Sequence, residues 1–367
     1  MNRKKAIAFH EMRILRWFLI IGLVFVFLYA VLLCSAVESN LMHINEGVGM
    51  IRNLETSGAV AAGSYFSISL VGTLRMAQPI LVFVFAILTV IQFSELSKRK
   101  TEEFTHSLPF TRLELVMNKT LWGAGTIVFL CLLVGIVTFV IRGQYIDKIE
   151  KINLLSPQYA SLFANETPWH TLRTLLLFGL TLLVTYFIFV VAHCLIRNVF
   201  VAGLAGVGMV LTPVHIAFFI DHSSTLKNPK SLGISGEMWR ICNVFWGDLL
   251  CINVSDWFWY DPGIDRMVSY DNLTFPIMLL VAILLACLLL IWYYCEKKDL
   301  AKDRKLMPIL WTRIVMSLGI GYGLGTTFVM MFSDANYMNF GSYVAGCSVV
   351  SLIVFVVSML VLQCKVK

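Results

Sequence analysis

The stretch "WFLIIGLVFVFLYAVLLCSA", residues 17–36, contains no charged side chain. A transmembrane α-helix needs about 20 consecutive, mainly apolar residues, so this run predicts a membrane span. The run is longer than the apolar segment of a typical signal peptide, and it lacks a small-x-small cleavage pattern at its end. We therefore expect it to remain in the membrane as the first span.

Composition indicates that this run is one of several. The chain has 367 residues, of which 58% are hydrophobic and 14% are charged. A soluble domain carries about 25% charged residues. A protein core cannot bury this much apolar surface unless lipid solvates part of it. The composition therefore predicts a polytopic membrane protein.

Seven further apolar runs are long enough to cross a bilayer. Together with the first, they predict an all-α polytopic membrane protein with about eight transmembrane helices. Almost nothing but Arg197 and Asn198 separates the fourth run from the fifth, which predicts a tight helical hairpin. The seven runs are residues 74–94, 120–141, 174–195, 198–220, 274–294, 312–332 and 341–363.

The distribution of basic residues predicts the orientation of the chain. With the N-terminus placed inside the cell, 19 of the 29 Lys and Arg residues fall in cytoplasmic segments, and 14 of the 22 acidic residues fall outside. This asymmetry follows the positive-inside rule and predicts that both termini are cytoplasmic. The net charge of +7 then reflects topology, and we expect no nucleic-acid partner.

The polar stretch "FTHSLPFTRLELVMNK", residues 104–119, lies between the second and third runs. Residues 101–108 can form a short helix with Phe104 and Leu108 on one face. This helix has to stop at Pro109, which cannot donate a backbone hydrogen bond and disfavours helix in the preceding residue. We therefore predict a stub helix at the inner membrane surface.

A second helix is predicted to begin directly after the stub. Thr111 and Glu114 have the spacing of a capping box, in which the two residues satisfy each other's backbone N–H groups. This helix leads into the third span. A stub held between two spans can transmit force to both when a partner docks on it.

The segment "SLPFTRLELVMNKTL", residues 107–121, resembles the piece that follows the second span in permease subunits of type-2 ABC transporters. In that family the piece is the coupling helix, which engages a cytoplasmic ATP-binding subunit. The resemblance implies the same role for the stub at residues 101–109. The matching positions are Leu108, Pro109, Arg112, Glu114 and Lys119.

The order of segments resembles the same family. The corresponding parts are an amphipathic N-terminal interface helix at 1–16, a six-helix permease core at 17–294, the coupling helix at 98–115 and an external re-entrant segment at 221–273. The chain departs from the usual six spans after this core. It continues with a cytoplasmic basic loop at 295–311 and an additional transmembrane hairpin with a short tail at 312–367.

The long external loop carries apolar residues at helical spacing, surrounded by tryptophans, which favour the membrane–water boundary. We predict that residues 235–254 form a helix dipping into the outer leaflet. The sequence leaves two interpretations open, an outer gate for substrate and an interfacial lid without a gating role. The residues of the predicted gate are Met238, Ile241, Phe245 and Leu249.

Motifs for nucleotide and metal binding are missing from the sequence. It contains no GxxxxGK[ST] motif, so we expect no ATP site in this chain. The run GxGxGxG at 319–325 lies inside a predicted membrane helix, where we expect Gly319/Gly323 and Gly321/Gly325 to allow close helix packing.

The nine cysteines lack zinc-type spacing, so no metal site is predicted. The sequence also predicts no catalytic or cofactor-binding residue. It leaves open whether Cys242 and Cys251, in one external loop, form a disulfide.

Few ionisable groups fall within the predicted spans. For His193 and His215 the sequence allows either a place along a substrate pathway or a role in packing. Arg75, near the outer end of the second span, either extends to the headgroups or contacts substrate.

The resemblance implies a permease subunit of an ATP-driven exporter in the plasma membrane of a bacterium. Its expected partners are a cytoplasmic ATP-binding subunit holding ATP and Mg²⁺, a second permease subunit (identical or paralogous), and membrane lipids. Exporters of this family commonly carry peptides, antibiotics or lipid-like molecules.

Two other classes of function are less consistent with the sequence than the exporter. A secondary transporter predicts internal repeats and intramembrane charges, and the sequence shows neither. An intramembrane enzyme is disfavoured because Glu102 and Glu103 are predicted outside the bilayer and no HExxH or GxSxG motif is present.

Overall fold

Eight α-helices make up the part of the chain that the computed structural model describes. That part comprises residues 3–54, 65–97, 112–155, 167–196, 198–227, 274–297, 310–332 and 340–363. The helices are α1 (Arg3–Leu54), α2 (Tyr65–Ser97), α3 (Arg112–Leu155), α4 (Pro168–Leu195), α5 (Val199–Lys227), α6 (Thr274–Lys297), α7 (Leu310–Phe332) and α8 (Phe340–Gln363).

Among the described residues, seven of these helices are long and apolar enough to cross a membrane, and the described part of α7, which the sequence predicted as a span, is not among them. Large apolar side chains such as Phe27, Leu132 and Phe200 lie exposed on them. Soluble proteins rarely expose continuous apolar faces of this kind, so lipid is the solvent that these faces require. The prediction of an all-α, multi-pass membrane protein is confirmed. The polar residues of α7, among them Arg313, Thr326 and Thr327, lower its hydropathy.

Helices α1 and α3 are longer than the apolar runs that predicted them. The predicted interface helix and first span form one continuous helix of 52 residues, which is about 78 Å at 1.5 Å per residue. Helix α3 has 44 residues, or about 66 Å. Both exceed the roughly 30 Å of a bilayer's hydrocarbon core, so both extend beyond it.

The chain divides into two compact units, the first formed by residues 1–81, 121–184 and 244–282, the second by the remainder. Within the first unit α1 and α3 run parallel. The Tyr29 hydroxyl hydrogen-bonds the Thr138 hydroxyl at 2.6 Å, 109 residues away along the chain. Further along both helices, the Tyr145 hydroxyl donates to the Glu38 carboxylate at 2.8 Å, and these two residues are 107 positions apart. A nearly constant separation in sequence is what parallel packing requires.

The end of α4 and the start of α5, both in the second unit, form the tight turn that the sequence predicted. Helix α4 ends at Leu195 and α5 begins at Val199. Asn198 caps α5, because its side-chain oxygen accepts hydrogen bonds from the N–H groups of Phe200 at 3.1 Å and Val201 at 3.2 Å. An asparagine cap satisfies donors that have no acceptor within the helix.

The additional C-terminal hairpin packs on α5, also within the second unit. His215 hydrogen-bonds the Thr326 hydroxyl. Phe219 of α5 contacts the rings of Tyr322 and Tyr343, with centroids 5.4 and 6.0 Å away. Tyr343 is fully buried and belongs to a small apolar core with Val329. These contacts join the hairpin to the helix that precedes residues 228–273 in the chain.

Two of the four glycines in α7 allow the close packing that the sequence predicted. A Cβ at Gly321 or Gly325 would overlap α8 backbone atoms of Ser351. A Cβ at Gly319 or Gly323 would have nothing within 4 Å among the described residues. The packing prediction is therefore confirmed for Gly321/Gly325 and wrong for Gly319/Gly323, because only one face of α7 meets α8.

We expect Gly325→Leu to destabilise the α7–α8 hairpin, whereas Gly319→Leu leaves it intact. Leucine at position 325 would force the two backbones apart, and overpacking of this kind costs about 1–3 kcal/mol. The measurement is the thermal unfolding midpoint of the purified chain in detergent. Equal midpoints for the two variants would contradict the observed packing.

Candidate functional site

Most of the predicted coupling and gate residues lie outside the described residues. These are Phe104, Leu108 and Pro109 of the stub and Met238, Ile241, Phe245 and Leu249 of the predicted gate. Cys242 and Cys251 also lie outside them. The structure does describe the two helices that enclose the stub, α2 ending at Ser97 and α3 beginning at Arg112.

A buried amide ties these two helices together, close to the helix ends that flank residues 98–111 in sequence. Gln92, in the last turns of α2, is 0% exposed. Its Nε2 donates to the backbone carbonyl of Lys119 in α3 at 2.5 Å. A side chain that bonds the backbone of another helix resists both sliding and separation, because a buried amide without partners is strongly unfavourable.

The same amide connects α2 with α4. The hydroxyl of Tyr186 donates to Gln92 Oε1 at 3.0 Å. Its ring also packs edge-on against Phe85 of α2, with centroids 6.4 Å apart. Gln92, Tyr186 and the Lys119 carbonyl thus form one buried group, which we call the Gln92 cluster. It joins α2, α3 and α4 within the second unit.

Three predicted coupling residues lie at the described start of α3: Arg112, where the helix begins, Glu114 and Lys119. Glu114 is exposed and lies in the first turn, where a carboxylate is favoured by the helix dipole. The Lys119 side chain is 4% exposed, so it is not presented on the surface of this chain. A coupling role for Lys119 would therefore depend on how α3 packs, because its backbone carbonyl accepts the hydrogen bond from Gln92.

Gln92 and Tyr186 did not emerge from the sequence as candidates. Each is one polar residue in an apolar run, and they lie 94 residues apart. No motif or spacing links them. The one available signal is that Gln92 is an amide in an otherwise apolar predicted span, where a polar side chain needs a partner.

A groove runs along the parallel pair α1 and α3 in the first unit. It has a volume of about 600 Å³, within the 300–1,000 Å³ typical of small-molecule sites. Its walls are apolar, and the carboxylate of Glu38 and the amide of Gln144 lie at one end. The hydroxyl of Tyr145 bonds Glu38 and so fixes that carboxylate. Such a groove suits an amphipathic molecule.

The two span histidines take part in packing. His193 stacks on Phe93 of α2, with ring centroids 5.3 Å apart. His215 bonds the hairpin as described above and packs against Tyr322. The packing interpretation is therefore the one that the contacts support for both. Arg75 is exposed on α2.

Comparisons with protein-family models, with curated proteins and with solved structures found no match for this chain. The fold class therefore stands on the helices themselves. The resemblance to type-2 ABC permeases rests on the sequence motif and segment order described above and on no matched protein.

Proposed function

We propose that this chain is the membrane subunit of an ATP-driven exporter of the type-2 ABC class. The single observation that carries the proposal is the Gln92 cluster beside the coupling segment. A cytoplasmic ATP-binding subunit, holding ATP and Mg²⁺, would dock on residues 101–109. The chain would form the substrate pathway with a second permease subunit, identical or paralogous, in the plasma membrane of a bacterium.

The cluster explains how a docked ATP-binding subunit would move several spans at once. A displacement of the stub acts first on α2 and α3, which enclose it in sequence. Because Gln92 bonds the α3 backbone at 2.5 Å, these two helices shift as a pair. The bond from Tyr186 at 3.0 Å passes the displacement on to α4.

The groove along α1 and α3 supports an amphipathic substrate. Its apolar walls match a lipid-like or apolar peptide segment, and Glu38 offers an acceptor to a polar or cationic end of the molecule. Peptides, antibiotics and lipid-like molecules, the substrates expected for this class, all contain such a combination. We propose this groove as the part of the chain that first contacts substrate from the membrane.

Affinity purification of the tagged full chain from its native membranes tests the proposal. We expect an ATP-binding protein to co-purify in stoichiometric amount and to hydrolyse ATP in the complex. Transport by the purified chain alone in proteoliposomes would overturn the proposal and favour a secondary transporter. Labelling that places residues 101–115 on the external side would also overturn it.

A further inference from the structure

Aromatic side chains mark the junction between the end of α6 and the start of α7. Tyr294 is buried, and its ring lies 6.2 Å from the ring of Trp311, measured between centroids. Trp311 and Trp292 are exposed. Tyrosine and tryptophan are enriched where a span meets the headgroups. This junction therefore lies at the depth of the lipid headgroups.

A buried arginine lies in the first turn of α7. Arg313 is 7% exposed, and among the residues that the structure describes its Nε has no hydrogen-bond partner. A guanidinium stays charged at every physiological pH. Leaving a buried donor of a charged group without an acceptor is unfavourable, and an anion bound here would supply that acceptor.

The start of α7 supplies further donors for that anion. The helix begins at Leu310. The first N–H groups of a helix have no acceptor within the helix and carry partial positive charge. Because Cβ atoms tilt toward the helix N-terminus, the side chain of Arg313 covers this same turn.

We propose that the first turn of α7, with Arg313, binds the phosphate group of an anionic membrane lipid. Arginine pairs with phosphate through two parallel N–H bonds, and helix N-termini favour the same group. Exposed Leu310 and Val315 offer contacts for acyl chains beside the headgroup.

In the sequence, this turn follows a basic segment, residues 296–305. Its sequence "EKKDLAKDRK" holds five basic and three acidic residues, and basic segments next to a span attract anionic lipids. The site needs no ATP-binding partner, so it stands independently of the exporter proposal.

Binding of phosphatidylglycerol to the full chain in detergent tests this site, measured by native mass spectrometry and by the thermal unfolding midpoint. We expect Arg313→Gln to weaken binding about tenfold or more, since it removes a charge-assisted pair. Arg313→Lys keeps the charge but not the paired geometry, so we expect an intermediate loss. Arg16→Gln, at an exposed arginine of α1, is the matched control and should bind normally.

Two further probes identify the source of the phosphate. Diacylglycerol with the same acyl chains lacks phosphate and should not stabilise the wild-type chain. Inorganic phosphate tests for a soluble anion, and a response to it without one to phosphatidylglycerol would overturn the lipid assignment. Phosphatidylglycerol binding that is equal in wild type, Arg313→Gln and Arg313→Lys would overturn the site itself.

Discussion

Replacing Pro109 and Arg112 together by alanine is expected to uncouple ATP hydrolysis from transport. Without Pro109 the stub is free to continue as helix into α3, so the surface on which the ATP-binding subunit would dock changes direction. Replacing Arg112, at the start of α3, removes the basic residue that matches the coupling motif of type-2 ABC permeases. We expect the amount of substrate moved per ATP hydrolysed to fall by about tenfold or more.

The experiment uses the complete complex in proteoliposomes and records hydrolysis and transport on the same sample. Membrane insertion of the double variant should be normal, because both positions lie outside the apolar runs. Arg16→Ala is the control for loss of one basic residue on the predicted cytoplasmic side. Undiminished transport per ATP in the double variant would exclude a coupling role for residues 101–115.

Replacing Gln92 by leucine should both destabilise the chain and weaken coupling. Leucine removes the donor to the Lys119 carbonyl and the acceptor of the Tyr186 hydroxyl. Loss of buried hydrogen bonds of this kind costs about 1–3 kcal/mol. Because α2 and α3 would no longer be joined at this point, we also expect less transport per ATP at a temperature where the variant remains folded.

Two further variants separate this effect from a general disturbance of α2. Ser94→Ala removes a hydroxyl that bonds only within its own helix, to the Ile91 carbonyl at 2.8 Å, and should change stability by less than about 0.5 kcal/mol. Tyr186→Phe combined with Gln92→Leu should cost less than the sum of the single changes, since both remove the same bond. Strict additivity would show that the bond contributes nothing.

Hydropathy located the helices well but not their ends. The eight apolar runs all fall on helices, yet α1 and α3 continue far past them. Hydropathy reports whether a segment prefers lipid or water. Polar residues such as Glu38, Arg142 and Gln144 therefore mark the end of an apolar run, although the helix continues through them. Helix formation depends on backbone hydrogen bonds, which these polar residues leave intact.

Local motifs predicted local features, and partners distant in sequence were not predictable. The hairpin at Asn198 follows from a cap residue between two apolar runs. The glycine run indicated close packing of α7, but four equivalent glycines do not reveal which face meets a neighbour. Gln92 and Tyr186 lacked any signal that paired them, because their bond exists only once α2 and α4 lie side by side. The stub and the predicted gate stay predictions.

The length of α1 has a mechanical consequence. A straight rod of about 78 Å that tilts by about 10° around its midpoint displaces each end by about 7 Å, more than a full helical turn of rise. A small tilt of this helix within the membrane therefore displaces its two ends by a large distance. Spin labels at the two tips would therefore register a change of state that labels near the midpoint would miss.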